Sequence, residues 1–189
     1  MVGAILGSIV VFSYLILPFD NLYKSILVSI LYLFLYGFLH LEAVADTIDG
    51  YYASLSQKDV HKIMKEPQVG AMGAIGSFCF VLLKILAMGW LLYHHYFITI
   101  ILALILSRFT LLFSLEFEFH TDSKFIHSLQ QSFKLTTIQK IIFFPFYKLV
   151  KYILSKVHQV LGLLNGDTLG FTIELTEILY LNLFIFLVV

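Results

Sequence analysis

Residues 71–93 read AMGAIGSFCFVLLKILAMGWLLY and residues 96–115 read YFITIILALILSRFTLLFSL, two apolar runs parted by His94-His95. About 20 apolar residues suffice to cross a bilayer as a helix, so each run is long enough to span. Lys84 and Arg108 are the only charges inside them. The two runs predict a pair of membrane helices joined by a tight turn.

Working outward, further apolar runs lie at roughly 1–18, 23–41 and 168–189. The first lacks a basic leader and ends in Pro18-Phe19-Asp20 rather than in small residues, so a retained span is expected and not a signal peptide. The 189 residues are 60% hydrophobic with a mean hydropathy of +0.93, whereas apolar residues make up about half of a soluble domain. The expected fold is all-α: a polytopic membrane bundle of about five spans, in one domain covering 1–189. Twelve basic and twelve acidic residues cancel, so no global charge points to nucleic acid. Cys79 is the lone cysteine and has no partner for an intramolecular disulfide.

The polar stretch 116–166 decides the topology. Within it, 141–157 is apolar but carries Lys148, Lys151 and Lys156 and is bent by Pro145. Leu149, Ile153 and Val157 mark a separate face, so an amphipathic helix in the headgroup region is expected instead of a sixth span. Basic residues concentrate in cytoplasmic loops. Lys58, Lys62 and Lys65 lie in the 42–70 loop, and Lys124, Lys134, Lys140, Lys148, Lys151 and Lys156 in the 116–166 stretch; the other side has Lys24 and the His94-His95 turn. The N-terminus is therefore expected inside, the C-terminus outside, and both polar stretches at the cytoplasmic face.

Two acidic groups border these stretches. Glu42, Asp46 and Asp49 are spaced i, i+4, i+7, and Asp167, Glu174 and Glu177 fall on one face of the last apolar run with Gly170 between them. Ionised groups at membrane depth are costly and usually face a wet cavity, an ion or a substrate. Hard cations such as Mg²⁺ take oxygen ligands, often a few carboxylates completed by substrate phosphates. Two acidic helix ends on one side could hold such an ion for phosphoryl- or nucleotidyl-type transfer, with a remaining carboxylate taking a proton from the incoming hydroxyl. Gly50, after Asp49, would let a phosphate approach the backbone, and Lys62 and Lys65, near Gly70 and Gly73, are placed to meet phosphate oxygens. Arg108 is expected to pair with an acidic ligand or a phosphate. The other reading of the same residues makes Asp46, Asp49 and Asp167 helix caps, and Glu174 and Glu177 buried partners of Lys84 or Arg108. His40 stands before the first acidic group, either donating to a carboxylate or packing at the interface. His94, His95 and His120 lack zinc-ligand spacing, and no P-loop or GxSxG elbow is present.

At Leu39-His40-Leu41-Glu42-Ala43-Val44-Ala45-Asp46-Thr47-Ile48-Asp49-Gly50 the chain resembles the adenosylcobinamide-GDP ribazoletransferase, or cobalamin synthase, family, whose segment there is similar to LHLDGLADTADG. The likeness continues through Ile63-Met64-Lys65-Glu66 and Val69-Gly70-Ala71-Met72-Gly73, reaches Arg108, and closes at Asn165-Gly166-Asp167-Thr168-Leu169-Gly170 with Glu174 and Glu177. The resemblance implies an integral inner-membrane enzyme of the last assembly stage of cobalamin. In that reaction α-ribazole, or its 5′-phosphate, attacks the phosphate joined to cobinamide in adenosylcobinamide-GDP, and GMP leaves, with Mg²⁺ required. The site then expected has Asp46, Asp49, Asp167 and Glu174 as metal ligands, and Glu177 as a further ligand or base beside Asp167. Lys65, Arg108, Gly50 and Gly70 would lie on phosphate, with Glu42 as an additional acid. A homo-oligomer is compatible with this reading.

Glu42-Ala43 stands where the family has Asp-Gly, Glu66-Pro67-Gln68 replaces Asp-Ser-Arg, and Glu116-Phe117-Glu118-Phe119-His120 replaces a glycine-rich stretch. The family's aromatic-Thr-Arg-Leu-Pro segment is missing, as though the chain started late. Asp46-x-x-Asp49-Gly50 also looks like the opening of the CDP-alcohol phosphatidyltransferase motif. Such an enzyme, a small transporter with a charged pathway, and a non-catalytic family member are the alternatives.

Overall fold

The computed structural model describes residues 2–38, 40–116 and 143–188, and these contain eight helices and no strand. The helices are α1 (Val2–Ile16), α2 (Asn21–Leu35), α3 (Leu41–Leu55), α4 (Val60–Ile63), α5 (Ala71–Tyr93), α6 (Phe97–Ser114), α7 (Phe144–Leu161) and α8 (Gly166–Val188). Three of them, α5, α6 and α8, are long and apolar enough to cross a membrane, as expected from their runs. Phe78, Ile98 and Phe186 on these helices are 66%, 74% and 79% exposed, side chains suited to lipid rather than water. The protein is an all-α polytopic membrane protein.

The first two apolar runs form shorter helices than their sequences predict, 15 residues each. Punctuation is the reason. Pro18 disfavours helical geometry at Leu17, and Asp20 then caps α2 by accepting from the amides of Leu22 at 3.0 Å and Tyr23 at 3.4 Å. At the other end Gly37 and Phe38 both take positive φ, 65° and 54°, which turns the chain out of the helix before His40. The run expected at 23–41 therefore stops at Leu35, and a separate helix, α3, begins at Leu41. Pro145 also acts differently from expectation: it sits in the first turn of α7, where its missing N–H costs nothing, and it starts that helix instead of bending it. Lys124, Lys134, Lys140 and Phe117 to His120 lie outside the described residues.

The chain groups into two compact units. The first comprises Met1–Leu39, Phe78–Arg108 and Leu175–Val189, and the second His40–Ser77 and Phe109–Glu174. In the first, Gly3 and Gly7 let α1 lie against the α6 backbone; a methyl group at Gly7 would stand 3.0 Å from the Ile101 Cα. Close approach of backbones through small residues is a common way for membrane helices to gain dispersion contact.

In the second unit α7 is strongly amphipathic. Its buried residues are Val150, Ile153, Leu154 and Leu161, spaced to form one stripe. Val150 and Leu154 pack with Phe113, Leu164, Leu169 and Ile173, and Leu161 with Met64 and Leu163. Gly162, at φ 73°, ends α7 by the left-handed turn that glycine adopts without strain. Asn165 and Thr168 then open α8 by exchanging side-chain to backbone hydrogen bonds, 2.9 Å from the Thr168 amide to Asn165 Oδ1 and 2.8 Å from the Asn165 amide to Thr168 Oγ1.

Candidate active site

The second unit assembles carboxylates from two distant stretches of chain. Glu42, Asp46 and Asp49 rise along α3, and Asp167 stands in the first turn of α8. Small residues bring these helices together: a methyl group at Gly170 would lie 2.7 Å from the Ala43 Cβ and 3.3 Å from His40 Nδ1. Asp46 records the proximity electrostatically. Partial burial, and then the charges of Asp167, Glu42 and Asp49, push its carboxyl up to about 6. Asp167 is half-buried and accepts from Asn165 Nδ2 at 3.0 Å. Glu174, on the same helix, is 2% exposed.

Asp49 has a different task. Its two oxygens accept from the amides of Gly70 and Gly73, each at 2.7 Å, so it ties α3 to the start of α5 by satisfying N–H groups that a helix leaves unpaired. The glycines are required here. A methyl group at Gly70 would stand 2.6 Å from Asp49 Oδ1, and one at Gly73 would stand 2.7 Å from the Ala45 carbonyl oxygen. Gly50 is likewise filled, by the Met64 side chain 2.9 Å from where a methyl group would be. The backbone expected to meet phosphate at Gly50 and Gly70 is thus already occupied by the protein's own groups. Beside Asp49 opens a recess of about 220 Å³ lined by Tyr52, Lys58, Glu66, Gln68 and Gly70 among others. Lys65, the cation expected at phosphate, is exposed and does not line it, whereas Lys58 does. No spacing in the sequence distinguished Lys58 from its neighbours.

Glu177 belongs to the first unit and is fully buried there. One oxygen accepts from Lys84 Nζ at 2.9 Å and the Tyr32 hydroxyl at 2.8 Å; the other accepts from Arg108 Nη1 at 2.7 Å and the Ser107 hydroxyl at 3.1 Å. Arg108 Nη2 also donates to the Tyr32 hydroxyl at 3.1 Å, and Lys84 to the Tyr36 hydroxyl at 3.2 Å. The carboxylate expected as a further ligand or base is therefore spent on holding two cations at membrane depth, and Arg108 is spent on Glu177. The geometry follows the sequence's other reading, a buried partner for Lys84 and Arg108.

Among the described residues no three His, Cys, Asp or Glu side chains converge closely enough to hold a metal ion by themselves. Asp46 and Asp167 remain as an all-oxygen pair in which the charge of Asp167 works against ionisation of Asp46. Such a pair fits a hard cation of the Mg²⁺ type, which commonly takes one or two carboxylates and fills its remaining positions with water and substrate phosphates.

The fold and site define a polytopic membrane protein with acidic residues gathered from two helices. The family model described as cobalamin-5-phosphate synthase matches residues 1–185, and the chain belongs to that family. Among similar curated proteins, each called adenosylcobinamide-GDP ribazoletransferase, the one from Clostridium botulinum strain Okra is 31% identical over 206 residues, 96% of this chain and 82% of the relative. That from Alkaliphilus oremlandii is 24% identical over 202 residues, 96% and 81%. That from Treponema denticola is 35% identical over 85 residues, which is 44% of this chain and only 33% of the relative's length. No solved structure matches the chain.

Proposed function

We propose that this chain transfers the cobinamide phosphate of adenosylcobinamide-GDP to α-ribazole or its 5′-phosphate, releasing GMP, at the final assembly step of cobalamin. The membership of residues 1–185 in the family supports the reading, together with the names of relatives aligned over nearly the whole chain. The single structural observation that carries it is the close packing of α8 on α3 at Gly170 and Ala43, which sets the charge of Asp167 beside Asp46.

In the transfer a ribose hydroxyl oxygen forms the new bond to phosphorus as the bridging P–O bond of the diphosphate breaks, and the departing oxygen leaves with GMP. Asp46 and Asp167 would hold Mg²⁺. That ion supplies neutralisation of diphosphate charge and alignment of the two oxygens. The hydroxyl proton goes to a carboxylate of the same acidic group, within which Glu42 is exposed to solvent. Asp49 keeps α3 and the start of α5 in register so that the acidic face of α3 is presented. Lys58 supplies positive charge to phosphate oxygens at the recess, with Lys65 exposed on the same loop. The lysine excess in the sequence of the loops supports placing this face on the cytoplasmic side of an inner membrane.

The test is direct. Detergent-solubilised protein given Mg²⁺, α-ribazole and adenosylcobinamide-GDP releases GMP, and Asp46→Asn or Asp167→Asn abolishes that release while the variant still inserts and purifies as a folded protein. Retained turnover in either variant removes the carboxylate pair from the chemistry. Release of CMP from a CDP-linked lipid in place of GMP would reassign the donor.

A further inference from the structure

We propose that the outward face of α7 is a docking surface for anionic phospholipid headgroups. The sequence alone places the apolar stripe of this helix against the membrane. In the fold that stripe is already used: Val150, Ile153, Leu154 and Leu161 are buried, and Val150, Leu154 and Leu161 pack against side chains of their own unit. What faces outward is a row of Lys148, Lys151 and Lys156, all exposed, with exposed His158 behind them. Not one Asp or Glu occurs between Phe144 and Leu161.

Two aromatic rings stand in the same row, Phe144 at 49% and Tyr152 at 62% exposure. Lys148 Nζ lies 4.6 Å from the centre of the Phe144 ring and Lys156 Nζ lies 6.0 Å from that of Tyr152. Cations interleaved with exposed rings suit the headgroup layer, where aromatic side chains are half solvated and ammonium groups reach phosphate.

The distribution of charge selects the occupant. From Lys148 to Lys156 the row extends about 12 Å along the axis, at roughly 1.5 Å per residue. The lysines therefore do not converge on one point, as they would for a single bound phosphate, and match a charged plane better. The position along the chain agrees, because α8, apolar enough to cross the membrane, begins at Gly166, shortly after α7 ends at Leu161. Attraction of a basic segment to an anionic leaflet is worth a factor of about five per lysine, or on the order of 100-fold for three. This inference stands independently of the reaction proposed above.

Purified protein is reconstituted at low salt into vesicles of equal parts phosphatidylglycerol and phosphatidylcholine, the bilayer is cut into polymer-bounded discs, and the lipid retained around the protein is quantified by mass spectrometry. The parent protein retains phosphatidylglycerol preferentially. The variant K148Q/K151Q/K156Q loses on the order of 100-fold of that preference, each single Lys→Gln change about fivefold, and the corresponding triple Lys→Arg variant keeps it. Equal retention of the two lipids by the parent overturns the proposal. So does an unchanged preference in the single or triple glutamine variants, or displacement of phosphatidylglycerol by millimolar inorganic phosphate, which would make the site a pocket for a free anion.

Discussion

Glu177 lies within the apolar helix α8 and Asp46 on α3, outside the helices long and apolar enough to span, and their surroundings set them opposite tasks. Glu177 receives four donors, two of them cationic. Removing its charge leaves the buried Lys84 and the partly buried Arg108 without their anion, and breaking a buried pair in this way costs about 3–5 kcal/mol. Glu177→Gln is therefore expected to lower the thermal unfolding temperature strongly in detergent. Replacing Lys84, Arg108 and Glu177 together by apolar residues of similar size should recover part of the loss. A Glu177→Gln protein as stable as its parent yet inactive would return the residue to the chemistry. Asp46 is less buried and lies among like charges. Its carboxyl is raised from 3.8 to about 6 in the folded protein, so folding favours the protonated form. Its contribution to stability is present below the ordinary value and is lost as the pH rises through about 6. In metal-free protein, Asp46→Asn should then be more stable than the parent at pH 8 and equal to it below about pH 4, as chemical unfolding across that range would read. A difference of the opposite sign would mean that a cation of the protein faces Asp46.

At the scale of elements, the junction between α3 and α5 is set by one side chain and two glycines. Asp49 closes the open amides at Gly70 and Gly73. Asp49→Ala leaves them unpaired at a cost of about 1–3 kcal/mol. Gly73→Ala pushes a methyl group against both the Asp49 carboxylate and the Ala45 carbonyl, with a loss of about 1–3 kcal/mol from overpacking. If the two substitutions act on one contact, the double variant should lose less than the sum of the singles; strict additivity in thermal or chemical unfolding would show that Asp49 serves something other than this junction. The spacing of Glu42, Asp46 and Asp49 made a helix legible, but not that the third carboxylate would be consumed by backbone. Its partners lie 21 and 24 residues away. Local periodicity carries no information about such a contact. Helix α7 was legible in the same local way, as alternating lysines and apolar residues, whereas the side on which its apolar stripe would be buried was not.

For the molecule as a whole, the acidic pair requires residues 46 and 167 to reach the same aqueous face. Single cysteines placed at these positions in a protein with Cys79→Ala should both react with a membrane-impermeant maleimide added from the cytoplasmic side of inverted vesicles, and neither should react from the other side. Labelling from opposite sides would dismantle the site. This demands an even number of crossings between α3 and α8; among the described residues α5 and α6 are apolar and long enough to supply two, while α7, with its exposed lysines, is not among the helices apolar enough to span.

The sequence by itself determined that this is a helical membrane protein with an amphipathic helix and acidic residues gathered in two separate stretches. Hydropathy and periodicity are properties of neighbouring residues, and they survive without knowledge of the fold. Only the tertiary structure decided how the carboxylates are shared out. Asp167, Glu174 and Glu177 share one face in projection, but ten residues separate the first from the last, about 15 Å along the axis. That distance takes Glu177 into the unit containing Lys84 and Arg108 and leaves Asp167 with α3. A helical projection preserves angle and discards depth, and in a membrane protein depth determines which charges a carboxylate meets.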